Sequence, residues 1–485
     1  MTRLSQPALA GLPAEIARPG YDRAAVTPGI VHLGVGAFHR GHQAVFVDDC
    51  LNRGETGWGI VAASLRSPTT RDALAPQDNL YTYCERDGET ETLRVVGSIL
   101  ECLVAPEDPA RLIDRLADPR VRIVTLTVTE KGYLADLSRG TLLAEHPDIR
   151  HDLENPDTPR TIHGFLFAAS RRRREEGSVP LTLVSCDNLP ANGRLLQALL
   201  GEFARLADPG HGTGIIGALS CPCAMVDRIV PATTEADRQG IAARLGVEDA
   251  WPVVAEPYFR WVIEDKFPHG RPGLEQSGAE FVADVEPFEH MKLRMLNGAH
   301  TAIAAIGQIA GLDTVADTFE RAEVRRFIDA YWAEMAPTLA PEVDGTAYVA
   351  GLRGRFANPT LKHRAAQIAT DASQKVPQRI LAPLGELLDR GEAGEAVMTA
   401  LALWIRSCAA LNEQGGPIAM NDPAFDDWTA PDQATDDAET VVAGFLGFAR
   451  VFGPDWRERA DLVAALTRRY DTIRTQGVFG ALAQF

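Results

Sequence analysis

A short apolar run, Gly29-Ile30-Val31-His32-Leu33, ends in Gly34-Val35-Gly36, and this junction constrains the fold more than any other feature of the chain. A polar, helix-compatible stretch follows from Arg40 to Leu51, then a Gly-Glu-Thr-Gly turn and a second apolar run, Trp58 to Ser64. Strand, glycine turn, helix and strand within about 35 residues is the length of one βαβ unit. Glycines there let the chain turn tightly and let backbone N–H groups approach a pyrophosphate. A plain βα turn would use the same residues, and the third glycine of G-x-G-x-x-G is absent, with His39 in its place. A carboxylate at the end of the second strand would favour NAD by binding the ribose 2′-hydroxyl. The chain instead reads Leu65-Arg66-Ser67-Pro68-Thr69-Thr70-Arg71, with no acid before Asp72. Arg66 and Arg71 are either surface charges or partners of a 2′-phosphate, so NADP stays open beside NAD.

Further β-branched runs come at Leu93–Leu100, Val121–Val128, Leu181–Ser185 and Ile215–Ser220. Helical patterns lie between several of them, at Pro109–Leu116, Thr161–Glu176 and Arg194–Leu206. The alternation predicts an α/β, Rossmann-type domain with a mostly parallel sheet covered on both faces. Near residue 286 the texture changes. Apolar residues then recur at i, i+3/i+4 over Lys292–Ile309, Ala322–Met335, Leu361–Ala369, Glu395–Leu411, Ala438–Phe448 and Arg459–Gln476. The expectation is a dinucleotide-binding domain over 1–285 and an all-helical substrate-binding and catalytic domain over 286–485, with the active site in the cleft between them.

The charge balance excludes some partners. Among 485 residues, 48 Lys and Arg face 66 Asp and Glu, a net charge of −18, which argues against nucleic acid or an anionic membrane. The one basic run, Arg171 to Arg174, is followed by two glutamates and reads as a solvated helix face. No apolar run reaches the length of a membrane span, and the N-terminal stretch lacks the apolar core of a signal peptide. Seven scattered cysteines fit reduced thiols, so a cytoplasmic enzyme is expected. Cys221-Pro222-Cys223 has no second pair to complete a tetrahedral site, and no metal is expected.

Two segments offer chemistry. In Glu289-His290-Met291-Lys292-Leu293-Arg294-Met295-Leu296-Asn297-Gly298-Ala299-His300, α-helical geometry puts His300 about 80° and Asn297 about 140° around from Lys292. A lysine among Met and Leu is partly desolvated, which lowers its pKa and makes it a usable base; a snorkelling lysine is the plain alternative. Ser185-Cys186-Asp187-Asn188 ends a predicted strand, where ligands bind in open α/β sheets. Asn188 there either donates to a developing alkoxide or caps the following helix. No Tyr precedes a Lys by four residues in the dyad of short-chain dehydrogenases, so Lys292 is the best-placed base for a dehydrogenase.

These residues resemble the mannitol dehydrogenase family, the polyol-specific long-chain dehydrogenases and reductases, from about Gly29 to Ala481. The likeness rests on Gly34-Val35-Gly36-Ala37-Phe38-His39-Arg40 with His42-Gln43, Thr127-Val128-Thr129-Glu130-Lys131-Gly132-Tyr133 and Ser185-Cys186-Asp187-Asn188. Met225-Val226-Asp227-Arg228, Trp261-Val262-Ile263-Glu264-Asp265 and Lys292…Asn297…His300 complete it. The resemblance implies metal-independent hydride transfer between a nicotinamide cofactor and a secondary alcohol of an open-chain sugar derivative. Lys292 is then the base in oxidation and the acid in reduction, Asn188 and Asn297 hold the reacting oxygen, and His300 and Asp227 lie at the substrate. Glu289 is a proton relay or simply an i,i+3 partner of Lys292. Gly34, Val35, Gly36, Phe38, His39 and Arg40, with Arg66, are the expected cofactor residues, and a monomer is implied. A non-catalytic dinucleotide sensor on the same fold is the competing class, but it has no need of the full set of lysine, asparagines and histidine.

The substrate divides the family. Lys131, Lys362-His363-Arg364 after Asn358-Pro359, and Gln374-Lys375-Val376-Pro377-Gln378-Arg379 look like the fructuronate reductases, although Lys375 is expected in either group. Ala250-Trp251-Pro252-Val253-Val254 looks like the mannitol enzymes. Arg364 and Arg379 are either bidentate clamps for a carboxylate or structural ion pairs. The reading leans to a sugar acid over a neutral polyol. A carboxylate approaching so acidic a protein needs a local basic pocket, for which Lys131, Arg364, Lys375 and Arg379 are the candidates.

Overall fold

Five parallel strands form the central sheet of the first unit: Pro28–Leu33 (β1), Gly59–Ser64 (β2), Ile99–Val104 (β3), Ile123–Leu126 (β4) and Thr182–Ser185 (β5). The computed structural model describes all residues except Glu89, Ser138 and Ala419, and of Leu361 only the backbone. The strands run β3-β2-β1-β4-β5, with Leu33 in register with Ala63 on one side and Leu126 on the other. The order reverses direction between β1 and β4, the switch point at which open α/β sheets bind ligands. The strands are short, nearly continuous apolar runs because both faces are covered. Val31, Leu33, Val61, Val124 and Leu126 pack on Leu112, Leu116, Phe165 and Phe203 of the crossover helices. Ile30, Ile60, Ala62 and Ile123 face the opposite side, where Phe46 and Trp261 cover them.

The helices between these strands carry their own boundary signals. Asp108 accepts from the Arg111 backbone N–H to cap Pro109–Ala117, and Thr161 accepts from Gly164 to cap Ile162–Glu175. Within the second of these helices Arg173 departs from the expected solvated face. It is buried and donates to the carbonyls of Leu116, Asp118, Val121 and Val179 at 2.8–3.1 Å. Its guanidinium thereby satisfies the C-terminal carbonyls of Pro109–Ala117, for which a lysine has too few directed donors.

The run Ile215–Ser220 is also not the strand it resembles. Gly212–Ile216 forms one helical turn, and only Ser220 pairs with the sheet, bridging Thr182. A side chain at Gly212 would collide with the Ala204 carbonyl, so the turn packs directly on the preceding helix, Asn192–Ala207. Small sheets flank the main one. Tyr81–Asp87 pairs with Thr90–Val96 and Val253–Ala255, while Ala224–Asp227 pairs antiparallel with Arg260–Glu264.

The chain divides into two compact units, Met1–Glu286 and Pro287–Phe485. Among the described residues the second unit has helices and no strand. Its central helix, Ala299–Ala310, is buried almost all round, as an Ala/Ile-rich helix must be. Ala322–Met335, Gly345–Ala357, Glu395–Ser407 and Ala460–Leu482 are the longer elements around it, the last broken at Gly477 with φ 75°. The expected helix over Leu361–Ala369 shrinks to Ala365–Ala369, because Lys362 takes a left-handed backbone and Arg364 an extended one. No described helix is long and apolar enough to cross a membrane.

Candidate active site

In the first unit, Gly34 follows β1 with φ +97°, and a Cβ there would collide with the Thr127 carbonyl group, whose carbon lies 2.8 Å away. Gly36 differs: its φ is −112°, and a Cβ would meet only the Gly34 oxygen, at 3.8 Å. The turn is therefore tight against the protein at Gly34 and open at Gly36, the form a backbone needs to receive a pyrophosphate. A cleft of about 680 Å³ lies beyond the carboxyl ends of β2 and β3, lined by Leu65, Arg66, Ala105, Pro106, Lys131 and Phe165, among others. Its apolar lining and position suit the adenosine half of a dinucleotide.

Beneath the turn is a buried polar layer. The rings of His32 and His39 stack at 3.4 Å, and His32 contacts the hydroxyls of Thr125 at 2.8 Å and Thr127 at 3.0 Å. The Thr127 hydroxyl donates to the Gly34 carbonyl at 2.9 Å. Arg40 is buried, donates to the Trp251 carbonyl and lies over the Tyr81 ring, and Phe38 stacks on His42. Val35 packs in the core. The side chains of His39 and Arg40 thus lie within the protein, beneath the turn.

Burial pushes His32 down to about 3 and His163 to about 4, and holds His39 well below its ordinary value. These rings are neutral in the native protein and charge on unfolding near their ordinary value of about 6.5. Stability is therefore full above pH ~6.5 and falls as the pH drops towards 4, by about 1.4 kcal/mol per pH unit for each ring. Thermal melting between pH 7 and 5 should show this slope, and His32→Gln should flatten it.

After β5, Asp187 accepts from the backbone N–H groups of Val128 at 3.1 Å and Thr129 at 2.8 Å and from the Tyr133 hydroxyl at 2.9 Å. Burial raises its pKa to about 6, against the pull of these donors. Thr129 has φ +64°, a strained conformation for a β-branched residue, and the Asp187 carboxylate holds it there. Ala191 is also left-handed, so the strain brackets exposed Asn188 on the same loop system. Asp227 ends its strand buried, opposite Arg260.

In the second unit, the Lys292 segment is not α-helical. Lys292–Gly298 forms a π-helix between Glu286–Met291, which carries Glu289, and Ala299–Ala310. With i→i+5 bonding, residues five apart move towards one face, so Asn297 lies nearer the face of Lys292 than α geometry allows. Lys292 is 8% exposed and His300 6%. The wide turn is pinned from outside: the Tyr331 hydroxyl donates to the Arg294 carbonyl at 3.2 Å, and the Trp332 indole to that of Met295 at 2.8 Å. Arg294 pairs with Glu386 at 2.6 Å.

A second π segment, Pro377–Leu381, packs on the first. Gly298 permits the approach, since a Cβ would collide with the Tyr331 hydroxyl and come within 3.1 Å of the Arg379 carbonyl. Arg379 donates to the Thr301 hydroxyl at 3.2 Å and the Asn297 carbonyl at 3.5 Å. His300 lies 4.6 Å from the Phe356 ring and 5.2 Å from His363. Burial holds His300 well below its ordinary pKa, reinforced by His363, Arg355, Arg379 and Lys292.

The expected basic residues have different surroundings. Arg379 reaches the Lys292–His300 segment, whereas Lys375 donates to the carbonyls of Ile368 at 3.2 Å and Thr370 at 2.5 Å, holding a loop. Arg364 is exposed at the start of Ala365–Ala369, and Lys131 lines the cleft of the first unit beside Arg66. Sequence reasoning missed Arg355, which is 8% exposed on Gly345–Ala357 and acts on both His300 and His363. A single arginine in a helix gives no sequence signal of this role.

Comparison with known proteins agrees with these features. Residues 28–276 match the family model of the mannitol dehydrogenase Rossmann domain, and residues 284–474 that of the mannitol dehydrogenase C-terminal domain. The chain is 41% identical to D-mannonate oxidoreductase of Escherichia coli, covering 95% of this chain and 96% of that protein. It is 38% identical to mannitol 2-dehydrogenase of Aspergillus terreus, over 96% of this chain and 95% of that one. The solved structure of Pseudomonas fluorescens mannitol 2-dehydrogenase, a ternary complex with NAD and D-mannitol, superposes with a TM-score of 0.89. That match has 37% identity and covers 100% of this chain and 99% of the other. The chain belongs to the mannitol dehydrogenase family of oxidoreductases.

Proposed function

We propose that the protein transfers hydride reversibly between a nicotinamide dinucleotide, NAD in the first instance, and a secondary alcohol or ketone of an open-chain sugar acid, the D-mannonate/D-fructuronate pair. The π-helical stretch carries this reading, because it holds Lys292 buried and turns Asn297 towards the lysine, with His300 buried on the helix that follows. The Gly34–Gly36 turn and the cleft beside Arg66 suit the dinucleotide, which when bound supplies the hydride acceptor in oxidation and the donor in reduction. Lys292 removes the hydroxyl proton during oxidation and returns it during reduction. The side-chain amides of Asn188 and Asn297 donate to the reacting oxygen and stabilise negative charge as it develops, so no metal is needed. Glu289, one turn before Lys292, passes the proton onward, and His300 and Asp227 bind neighbouring hydroxyls.

Arg379 supports the sugar-acid substrate. It is tied to the catalytic segment through Thr301 and has guanidinium donors for a planar carboxylate. The mannitol/fructose pair is the second reading, favoured by the structural likeness to a mannitol 2-dehydrogenase and by the Ala250–Val254 stretch. Steady-state reduction with NADH should give a kcat/KM at least about tenfold higher for fructuronate than for fructose. Arg379→Ala should raise KM for the acid by about tenfold and change that for fructose little. Preference for fructose would establish the polyol reading, and dinucleotide binding without turnover of either sugar would establish a sensor.

A further inference from the structure

We infer that the cleft beyond β2 and β3 accepts a phosphorylated adenosine, with Arg66 and Lys131 as partners of a 2′-phosphate, so that the protein takes NADP as well as NAD. The inference rests on the dinucleotide reading above and goes beyond it. At the end of β2, the Ser64 hydroxyl donates to the Ser67 carbonyl at 2.6 Å and closes a turn that presents Arg66 to solvent. A carboxylate in this turn would accept the 2′-hydroxyl of NAD and repel a phosphate. The turn holds none. The nearest acid along the chain, Asp72, is engaged by Arg71 at 2.7 Å.

The structure also separates the two arginines that the sequence left equivalent. Arg71 is taken up by Glu107, with Nη2 to Oε1 at 3.1 Å, as well as by Asp72. Arg66 has no ion-pair partner among the described residues, and neither does Lys131, which lines the same cleft. The carboxylate among the described lining residues is Asp148, which faces Arg160 at 3.8 Å and His146 at 3.9 Å. In a protein of net charge −18, two unmatched cations on one cleft are a local anion site and not part of a general basic surface. The cleft volume and its apolar wall of Leu65, Ala105, Pro106 and Phe165 leave room for the adenine beneath them. Lys131, expected at the substrate, is thereby assigned to the cofactor.

The test is direct binding to the full-length protein, read by protein-fluorescence quenching with NADH and NADPH and by calorimetry with 2′,5′-ADP and 5′-AMP. NADPH should bind within about tenfold of NADH, and 2′,5′-ADP more tightly than 5′-AMP. Arg66→Ala and Lys131→Ala should each weaken NADPH and 2′,5′-ADP by about tenfold while changing NADH less than about twofold. Raising the salt should erode NADPH binding more steeply than NADH binding. NADPH binding more than about a hundredfold weaker than NADH would overturn the inference and leave the hydride-transfer reading standing. Equal losses of both dinucleotides in the variants would overturn it too. Failure of a folded protein to bind either dinucleotide would overturn both readings.

Discussion

Lys292→Ala should lower kcat by about a thousandfold while leaving dinucleotide affinity within about twofold of the parent. The size follows from the role proposed for the position. A buried amine that takes the hydroxyl proton removes a charge-separation barrier that water, excluded from so enclosed a segment, cannot remove in its place. The selectivity follows from where it is. Lys292 lies in the second unit, on a helix that shares no residue with the Gly34–Gly36 turn or the Arg66 cleft. Lys292→Arg should not restore activity, because a guanidinium keeps its proton at all working pH values. Small primary amines added to the Lys292→Ala protein should restore part of the rate, with a dependence on their basicity that a structural role would not produce. Turnover undiminished in Lys292→Ala would remove the lysine from the chemistry and leave it a buried structural side chain.

What the sequence revealed about this segment, and what it hid, have distinct physical causes. The residue types and spacing from Glu289 to His300 stand in the chain itself, so the chemistry proposed for them is read without knowing how the segment packs. The π geometry was not legible, because it depends on the Tyr331 hydroxyl and the Trp332 indole binding carbonyls that an α-helix would satisfy within itself, and on Arg294 reaching out to the Thr338 carbonyl. Reading the segment at 100° per residue therefore splayed Asn297 away from Lys292. The long amphipathic element Ala322–Met335 shows the opposite case, since its boundaries follow directly from periodicity and the structure places the helix at the same residues. Ile215–Ser220 misled because a short apolar run does not distinguish a buried strand from a buried helical turn. Arg173 and Arg355 were unreadable for a related reason. Whether an arginine faces water or a set of buried carbonyls and rings is decided by what packs on it, not by its neighbours in the chain.

The two glycines of the opening turn should separate fold from function. Gly34→Ala places a methyl group against the Thr127 carbonyl and forces an L-residue to hold φ +97°, so both the side chain and the backbone resist. Strain and overpacking together cost about 2–5 kcal/mol, enough to bring down a domain of ordinary stability. A lowered melting temperature and loss of soluble protein are expected. Gly36→Ala has neither difficulty: its φ of −112° suits alanine, and the space about its Cβ is open. That substitution should leave melting unchanged or slightly raised, because alanine restricts the unfolded chain more than glycine does. The open space is, however, where a pyrophosphate must come close to the backbone, and a methyl group there holds it off. Dinucleotide affinity should fall by about a hundredfold in a protein that remains fully folded. Melting and NADH titration of the two variants side by side check both halves. If the Gly36→Ala protein bound NADH as the parent does, the Gly-Val-Gly turn would be a βα connection only, and the dinucleotide would have to be held elsewhere.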